Sequence, residues 1–263
     1  MFASNIIYQK NKSFFKEADI FVASYPRSGN TWTLLLLSDL LLQSQGHPTK
    51  TGGNIIPDAY KVDIRQWNQN SETQNLPFRL IKTHEPFDPN FKRIIYLYRN
   101  PPDCLCSYYN YLLRHESFAQ SEPEINHFCQ SHVDEWVNHV KSYIMSAARG
   151  DCLVAFVSYE AIKANPVQTL QFISNALEWD IKDSSLFETA VKHQEFDSLQ
   201  MLVKSGETNR LGVPVEGGYQ NFFRKGKVDG ARDELTSKTL AHIESKAIPI
   251  YSVIQEAELI QQR

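Results

Sequence analysis

Ile20-Phe21-Val22-Ala23-Ser24-Tyr25-Pro26-Arg27-Ser28-Gly29-Asn30-Thr31-Trp32 reads as an apolar strand, a tight turn with one glycine, and the start of a helix running on through Leu42. Proline has no N–H and a fixed φ, so the strand stops at Pro26. From Arg27 to Thr31 every side chain is basic, hydroxyl, amide or absent. The first turn of a helix presents unpaired N–H groups and the positive end of the macrodipole, so a turn of this composition suits an anion such as phosphate. Gly29 lets the backbone close on a ligand, and Arg27 adds a fork of donors for oxyanions. A plain strand–helix connection without a ligand is the other reading of a single-glycine turn. The nucleoside triphosphate loop G-x-x-x-x-G-K-[ST] is excluded, because there is one glycine, no lysine before the hydroxyls, and Asn30 between Gly29 and Thr31.

Working outward, the helix expected over Thr31–Gln45 is apolar nearly all round, which predicts a buried central helix ended by Gly46 and Pro48. Residues 47–77 are polar and rich in Gly, Pro, Asn and Gln, and a loop of that length suits a lid or a substrate wall. Phe78–His84 reads as a short strand that delivers Lys82, Thr83 and His84 at its end. Arg93–Arg99 is a continuous apolar run bounded by arginines, as in a strand buried on both faces. Asn100-Pro101-Pro102-Asp103 then opens a helix carrying Ser107, Tyr108 and Tyr109. A longer helix is predicted over Ile125–Ala148, a buried strand over Cys152–Val157 ended by Ser158-Tyr159-Glu160, and a further helix from Pro166 to Leu177. Strands alternating with helices define an α/β fold with a central parallel sheet flanked by helices. No repeat or linker breaks the chain, so one domain over residues 1–263 is expected. A second basic, glycine-containing turn, Phe222-Phe223-Arg224-Lys225-Gly226-Lys227, is either a solvated surface loop or a flap over a polyanion.

A chain of 263 residues with 42% hydrophobic content can bury a sizeable core. The net charge of −3 leaves no basic footprint for nucleic acid, so any anion site is local. Residues 1–15 lack the apolar run of a signal peptide, and the leucine-rich run Thr33–Leu42 is too short to span a bilayer and contains Asp39. The four cysteines are sparse, and Cys104 and Cys106 lie two apart on a predicted helix, hence on different faces. Reduced thiols in a cytoplasm, with no disulfide framework and no metal site, are expected.

Together these stretches resemble the PAPS-dependent cytosolic sulfotransferase family, whose members move a sulfuryl group from 3′-phosphoadenosine 5′-phosphosulfate (PAPS) to a small-molecule acceptor and release the bisphosphate PAP. Tyr25–Trp32 resembles the family's Y-P-K-S-G-T-T-W loop, which binds the 5′-phosphosulfate. Tyr98-Arg99-Asn100-Pro101-Pro102-Asp103 through Ser107-Tyr108-Tyr109 resembles R-N-P-x-D-x-x-x-S-Y-Y, whose Arg and Ser grip the 3′-phosphate. Leu80-Ile81-Lys82-Thr83-His84 resembles R-L-I-K-x-H, with the catalytic histidine last. Tyr159-Glu160 falls at the adenine-contacting Y-E-D, and Phe223-Arg224-Lys225-Gly226 at the R-K-G loop over the 3′-phosphate. The resemblance implies donor contacts at Arg27, Ser28, Gly29, Asn30, Thr31, Trp32, Arg99, Ser107, Tyr159, Arg224, Lys225 and Gly226. It implies catalytic roles for His84, as general base, and for Arg27, Lys82 and Ser107, with no metal. Trp32 is either a stacking face for adenine or a core residue.

Arg27 replaces the family lysine and keeps the charge without being able to pass on a proton. Asn30 replaces the first threonine, and Asp229-Gly230-Ala231 stands in place of G-D-W. The dimer motif K-x-x-x-T-V-x-x-x-E falls on Arg232, Thr236, Ser237 and Ala241, which leaves the oligomeric state open. A P-loop kinase needs a Walker lysine and a Mg²⁺-binding carboxylate at a strand end, and here the strand delivers Arg99. A nucleotide-binding module without catalysis remains the non-enzyme alternative, against which His84 and Lys82 stand. For the acceptor, the apolar residue that commonly follows the catalytic histidine is Glu85 here, with Asp88 close behind and Asp58, Asp63, Glu72 and Trp67 in residues 47–77. Either these carboxylates face water, or Glu85 points inward and, with Trp67, favours a polar or cationic hydroxyl or amine acceptor.

Overall fold

The computed structural model describes residues 6–46, 55–67, 78–113, 116–121, 124–195 and 229–262. The described elements are α1 (Ile6–Lys12), β1 (Ile20–Ser24), α2 (Asn30–Ser44), α3 (Ile64–Trp67), β2 (Leu80–Thr83), β3 (Arg93–Tyr98) and α4 (Pro101–Leu112). They continue with α5 (Glu116–Ala119), α6 (Ile125–Ala148), β4 (Leu153–Ser158), α7 (Tyr159–Ala164), α8 (Pro166–Ala176) and α9 (Ser185–His193). A short 3₁₀ turn at Gly230–Asp233 leads into the last helix, α10 (Ser237–Gln261).

The four strands form one parallel sheet in the order β2-β1-β3-β4. Period-two alternation divides their side chains between two cores. Phe21, Ala23, Ile94, Tyr96, Tyr98, Val154 and Phe156 face α4, α6 and α10, with Trp136 and Tyr143 at that centre. Ile20, Val22, Ile95, Leu97 and Val157 face α2, α8 and α9. Leu34 to Leu37 and Leu40 to Leu42 on α2 are all buried, which explains a helix with almost no polar face. Asp39, fully buried among them, accepts a 2.9 Å hydrogen bond from His193 Nδ1 and so ties α9 to α2.

Neither edge of the sheet is left bare, which blunts edge-to-edge association. Beyond β2, residues 57–59 pair as a one-residue parallel bridge: Lys82 N donates to Pro57 O at 2.8 Å and Ala59 N to Lys82 O at 3.0 Å. Beyond β4, the side-chain amide of Gln261 does the work of a strand, accepting from Phe156 N at 3.0 Å and donating to Val154 O at 2.7 Å. The 47–77 stretch, expected as a loop, is therefore partly fold: Ile55, Ile56, Ala59 and Ile64 are buried and anchor it.

The strand order reverses beside β1, since the chain goes from β1 out to β2 and then back across to β3. In open α/β sheets such a switch point leaves a crevice at the carboxyl ends of the strands where ligands bind. Arg27, His84, Arg99 and Tyr159 each follow the end of a different strand, and all four lie at that edge.

Candidate active site

The turn after β1 has the shape of an anion cradle. Arg27 and Gly29 both take positive φ, 71° and 95°, the left-handed backbone that anion-binding turns are built from. α2 begins at Asn30 with Gly29 as its left-handed cap, and no side chain caps its first N–H groups. Gly29 is required twice over, because a Cβ there would lie 2.5 Å from Tyr159 Cδ2 as well as on a left-handed backbone.

Two stretches 80 residues apart meet here. Arg27 Nε donates to Ser107 Oγ on α4 at 3.2 Å, and the guanidinium lies 5.2 Å from the Tyr111 ring centroid. Arg99 lies 4.5 Å from the Tyr159 ring centroid and 3.8 Å from Asp103 Oδ2. Asp103, unnoticed as a functional residue in the sequence, also accepts from Asp229 N and Ala231 N, both at 2.8 Å. Its carboxylate thus brings the chain at residue 229 back beside Arg99. Arg224, Lys225 and Gly226 lie outside the described residues.

Not every side chain of the turn is available to a ligand. The Ser28 hydroxyl is buried against Cys104 Sγ at 3.5 Å, and Asn30 Nδ2 donates inward to Ser24 Oγ at 3.0 Å. The Ser28 hydroxyl and the Asn30 amide, both expected from the sequence to face a ligand, are thus engaged inside the protein. Trp32 packs against the α2-side core and its Nε1 donates to Gln194 O at 3.0 Å, so its indole is at least in part a core residue.

His84 stands just past β2. The pairing Ala23↔Thr83 brings Ser24 level with it. His84 Nδ1 lies 2.8 Å from Ser24 O and 3.3 Å from Ser24 Oγ. A carbonyl can only accept, so Nδ1 carries the proton and Nε2 is the basic nitrogen. Nε2 has no hydrogen-bond partner among the described residues. Burial pushes the His84 pKa down to about 3, helped by the Lys82 charge, so the ring is neutral at pH 7. The backbone of the same turn is held from α6: His139 Nε2 donates to His84 O at 3.0 Å, and Tyr143 OH to Glu85 O at 2.7 Å. Because His139 Nε2 donates, its Nδ1 accepts from Tyr96 OH at 2.8 Å. Sequence reasoning passed over His139, although it sits on the same α6 stripe as Trp136, Val140 and Tyr143.

Lys82, two residues before His84 and on the same face of β2, has its ammonium 2.8 Å from Asp58 Oδ2. Glu85 is buried and bonded to Tyr60 OH, so it does not face water, and burial pushes its carboxyl up. Asp88 is likewise buried, at 2.5 Å from Lys12 Nζ and 3.3 Å from Tyr8 OH. Asp63 does face solvent, paired with Arg65. Glu72 and the Trp67 side chain lie outside the described residues.

A parallel sheet flanked by helices, with the switch point of its strand order beside β1, makes the molecule an open-sheet α/β protein. Residues 17–246 match the sulfotransferase domain family, and the chain belongs to it. Among curated relatives, the amine sulfotransferase of the rabbit Oryctolagus cuniculus is 26% identical over 237 residues, 84% of this chain and 76% of its own. The flavonol 3-sulfotransferase of Flaveria bidentis is 26% identical over 251 residues, 86% of this chain and 79% of its own. Among solved structures, mouse sulfotransferase SULT7A1 complexed with PAP shares the fold, with a TM-score of 0.69 at 22% identity over 94% of this chain and 89% of the mouse chain. Among the described residues no helix is long and apolar enough to cross a membrane, and no cluster of His, Cys, Asp or Glu is arranged to hold a metal ion.

Proposed function

We propose that this sulfotransferase uses PAPS as donor and transfers its sulfuryl group to a hydroxyl or amine of a small polar acceptor, with His84 as general base. The observation that carries the reading is the meeting of Arg27 with Ser107, and of Gly29 with Tyr159, one strand away from a histidine whose Nε2 is neutral and unbonded among the described residues. The donor set fits a nucleotide with two separated phosphate groups. The backbone after β1, Arg27 and Thr31 would hold the 5′ side, Arg99 and Ser107 the 3′-phosphate, and Tyr159 the base. Arg224, Lys225 and Gly226 would close over the bisphosphate. The donor brings an activated sulfuryl group, and the protein supplies position and charge. His84 accepts the acceptor proton at Nε2 while Ser24 O holds its Nδ1–H. Lys82 supplies a cation on the same face.

A polar acceptor follows from the carboxylates on the acceptor side. Asp58 shares the His84 face, and Glu85 is buried immediately after it. The rabbit relative is an amine sulfotransferase, and this chain shares its class of substrate on this reading. The test is incubation with ³⁵S-labelled PAPS and a panel that includes tyramine, an aliphatic amine and 4-nitrophenol. Labelled product with the amine-bearing acceptors supports the proposal. Binding of PAP with no transfer to any of them would leave the molecule a nucleotide-binding homologue, and stabilisation by Mg²⁺–ATP equal to that by PAP would defeat the donor assignment.

A further inference from the structure

Two ion pairs flank the same strand, and their geometry differs. At the start of β2, Arg79 grips Asp19 with both arms, Nε to Oδ1 at 2.7 Å and Nη2 to Oδ2 at 2.6 Å, and adds a bond to Phe14 O. A forked arginine pair of this kind is a fixed clamp. At the other end of β2, Lys82 meets Asp58 through one contact of 2.8 Å. That lysine sits at the ligand edge of the sheet, on a flexible stem that can turn.

The Lys82–Asp58 pair is not needed to hold residues 55–67 in place. Backbone bonds from Lys82 N to Pro57 O and from Ala59 N to Lys82 O already attach the segment to β2. Asn11, almost wholly buried, donates to Ala59 O at 2.8 Å and Val62 O at 2.9 Å and accepts from Ile64 N at 3.1 Å. The segment is thereby framed from α1 with the ion pair left over. Its place, beside His84 and level with β1, is where the donor would present its transferable group.

We propose that Asp58 is the resting partner of Lys82, and that the sulfonate of bound PAPS takes its place: Asp58 is a positioning residue that keeps the lysine aimed beside His84 until the donor arrives. This rests on the PAPS reading above. The exchange is a swap of one charge-assisted hydrogen bond for another, with no covalent change. Its electrostatic consequence falls on His84, whose ring feels the charges of Lys82, which opposes its protonation, and of Asp58, which favours it. With Lys82 on Asp58, the lysine charge opposes protonation of the imidazole. With Lys82 drawn to the sulfonate, Asp58 remains beside the ring and favours the imidazolium, so His84 becomes the stronger base when donor is bound. The Asp58 carboxyl is suited to that part: burial pushes it up, but the Lys82 ammonium and the Tyr60 N–H outweigh this and hold it below the usual carboxylate range.

The experiment needs no acceptor. The dissociation constants of PAPS and PAP are measured by calorimetry for the wild-type protein, D58N, K82M and D58N/K82M. Without Asp58 the sulfonate no longer has to displace a partner, so D58N should favour PAPS over PAP by about tenfold more than wild type does, the scale of one charge-assisted bond. K82M should bring the two constants to within about twofold, and D58N should add nothing in the K82M background. A fixed structural pair would instead change melting temperature and leave the PAPS-to-PAP ratio alone. An unchanged ratio in D58N overturns the exchange, as does an equal gain for PAPS with and without Lys82, which would be simple relief of charge repulsion. An unchanged ratio in K82M overturns it by itself, even if D58N does not fold. A folded wild-type protein that binds neither nucleotide defeats the donor reading and this proposal with it, whereas binding of both with an insensitive ratio defeats the exchange alone.

Discussion

The anion cradle after β1 and the wall beside His84 face each other across the carboxyl edge of one sheet, and they are built by opposite means. The cradle is local: residues 25–32 carry the turn, the glycine, the charge and the helix start, and distant residues such as Ser107 and Tyr159 dock onto it. The wall is assembled from distant pieces. Asp58 comes from a segment framed by α1, Lys82 and His84 from β2, and the turn that carries His84 and Glu85 is hung from His139 and Tyr143 on α6. A local device tolerates change everywhere except at its few special backbone positions. An assembled one is sensitive at residues that touch no ligand.

The largest effect should come from His84→Ala, which is expected to lower kcat by roughly 10²–10⁴ with any acceptor the enzyme turns over while PAP binding is kept. A variant with near-normal kcat would show that the two sides are not divided into donor grip and chemistry. Next, Gly29→Ala should break the cradle: a left-handed backbone and a methyl 2.5 Å from Tyr159 together cost about 2–4 kcal/mol, read as loss of the melting shift induced by PAP. Unaltered PAP binding in that variant would mean that Tyr159 is not held against the turn.

The wall should also make the protein acid-sensitive. His84 and His139 are pushed down by burial to about 3 and about 4, against roughly 6.5 in the unfolded chain. Between those values the unfolded state binds more protons than the folded one, so stability falls as pH drops below about 6.5. Denaturant titrations should show a loss of about 2–4 kcal/mol from pH 7 to pH 5, with His139→Gln roughly halving the slope. A flat profile would mean that neither ring is held neutral.

Two substitutions of similar size then separate the sides. Arg99→Ala should weaken PAP binding by about 1.5–3 kcal/mol with little change in acceptor KM. Asn11→Ala removes three hydrogen bonds to the 59–64 segment and should do the reverse, raising acceptor KM and costing stability by about 1–3 kcal/mol with PAP affinity unchanged. If Asn11→Ala weakens PAP binding as much as Arg99→Ala does, the division between the sides is wrong. The smallest effect is at Glu85→Gln: KM for tyramine should rise by up to about fivefold and that for 4-nitrophenol should not move. Equal responses from both acceptors would remove Glu85 from acceptor recognition.

The strand–turn–helix unit after β1 was readable in the chain because its signals are contiguous: a strand stopped by Pro26, a glycine able to take positive φ, and a helix that starts immediately after it. The α/β alternation and the helix at Ile125–Ala148 were equally open, since apolar periodicity of 2 or 3.6 is itself a run of adjacent residues. Within residues 47–77 the attachment of 57–59 to β2 was not readable, because Gly, Pro and Asn signal irregular backbone without saying that part of it pairs with a strand, a bond made by main-chain atoms that every sequence possesses. The sequence left Glu85 open between water and the interior, since a carboxylate among Asp and Asn looks solvated until Tyr60 is known to bond it.

By itself, then, the sequence determined the strand–turn–helix unit, the buried leucine helix, the parallel α/β class and the identity of the charged and basic groups, all of which depend on neighbours along the chain. Only the tertiary structure decided which partner each group has: that Asn30 turns to Ser24, that Asp103 recovers the chain at residue 229, and that Asp58 meets Lys82 on the face of His84. Those pairings span up to 126 residues and rest on the order β2-β1-β3-β4, which is set by how the helices pack on the two faces rather than by any local pattern.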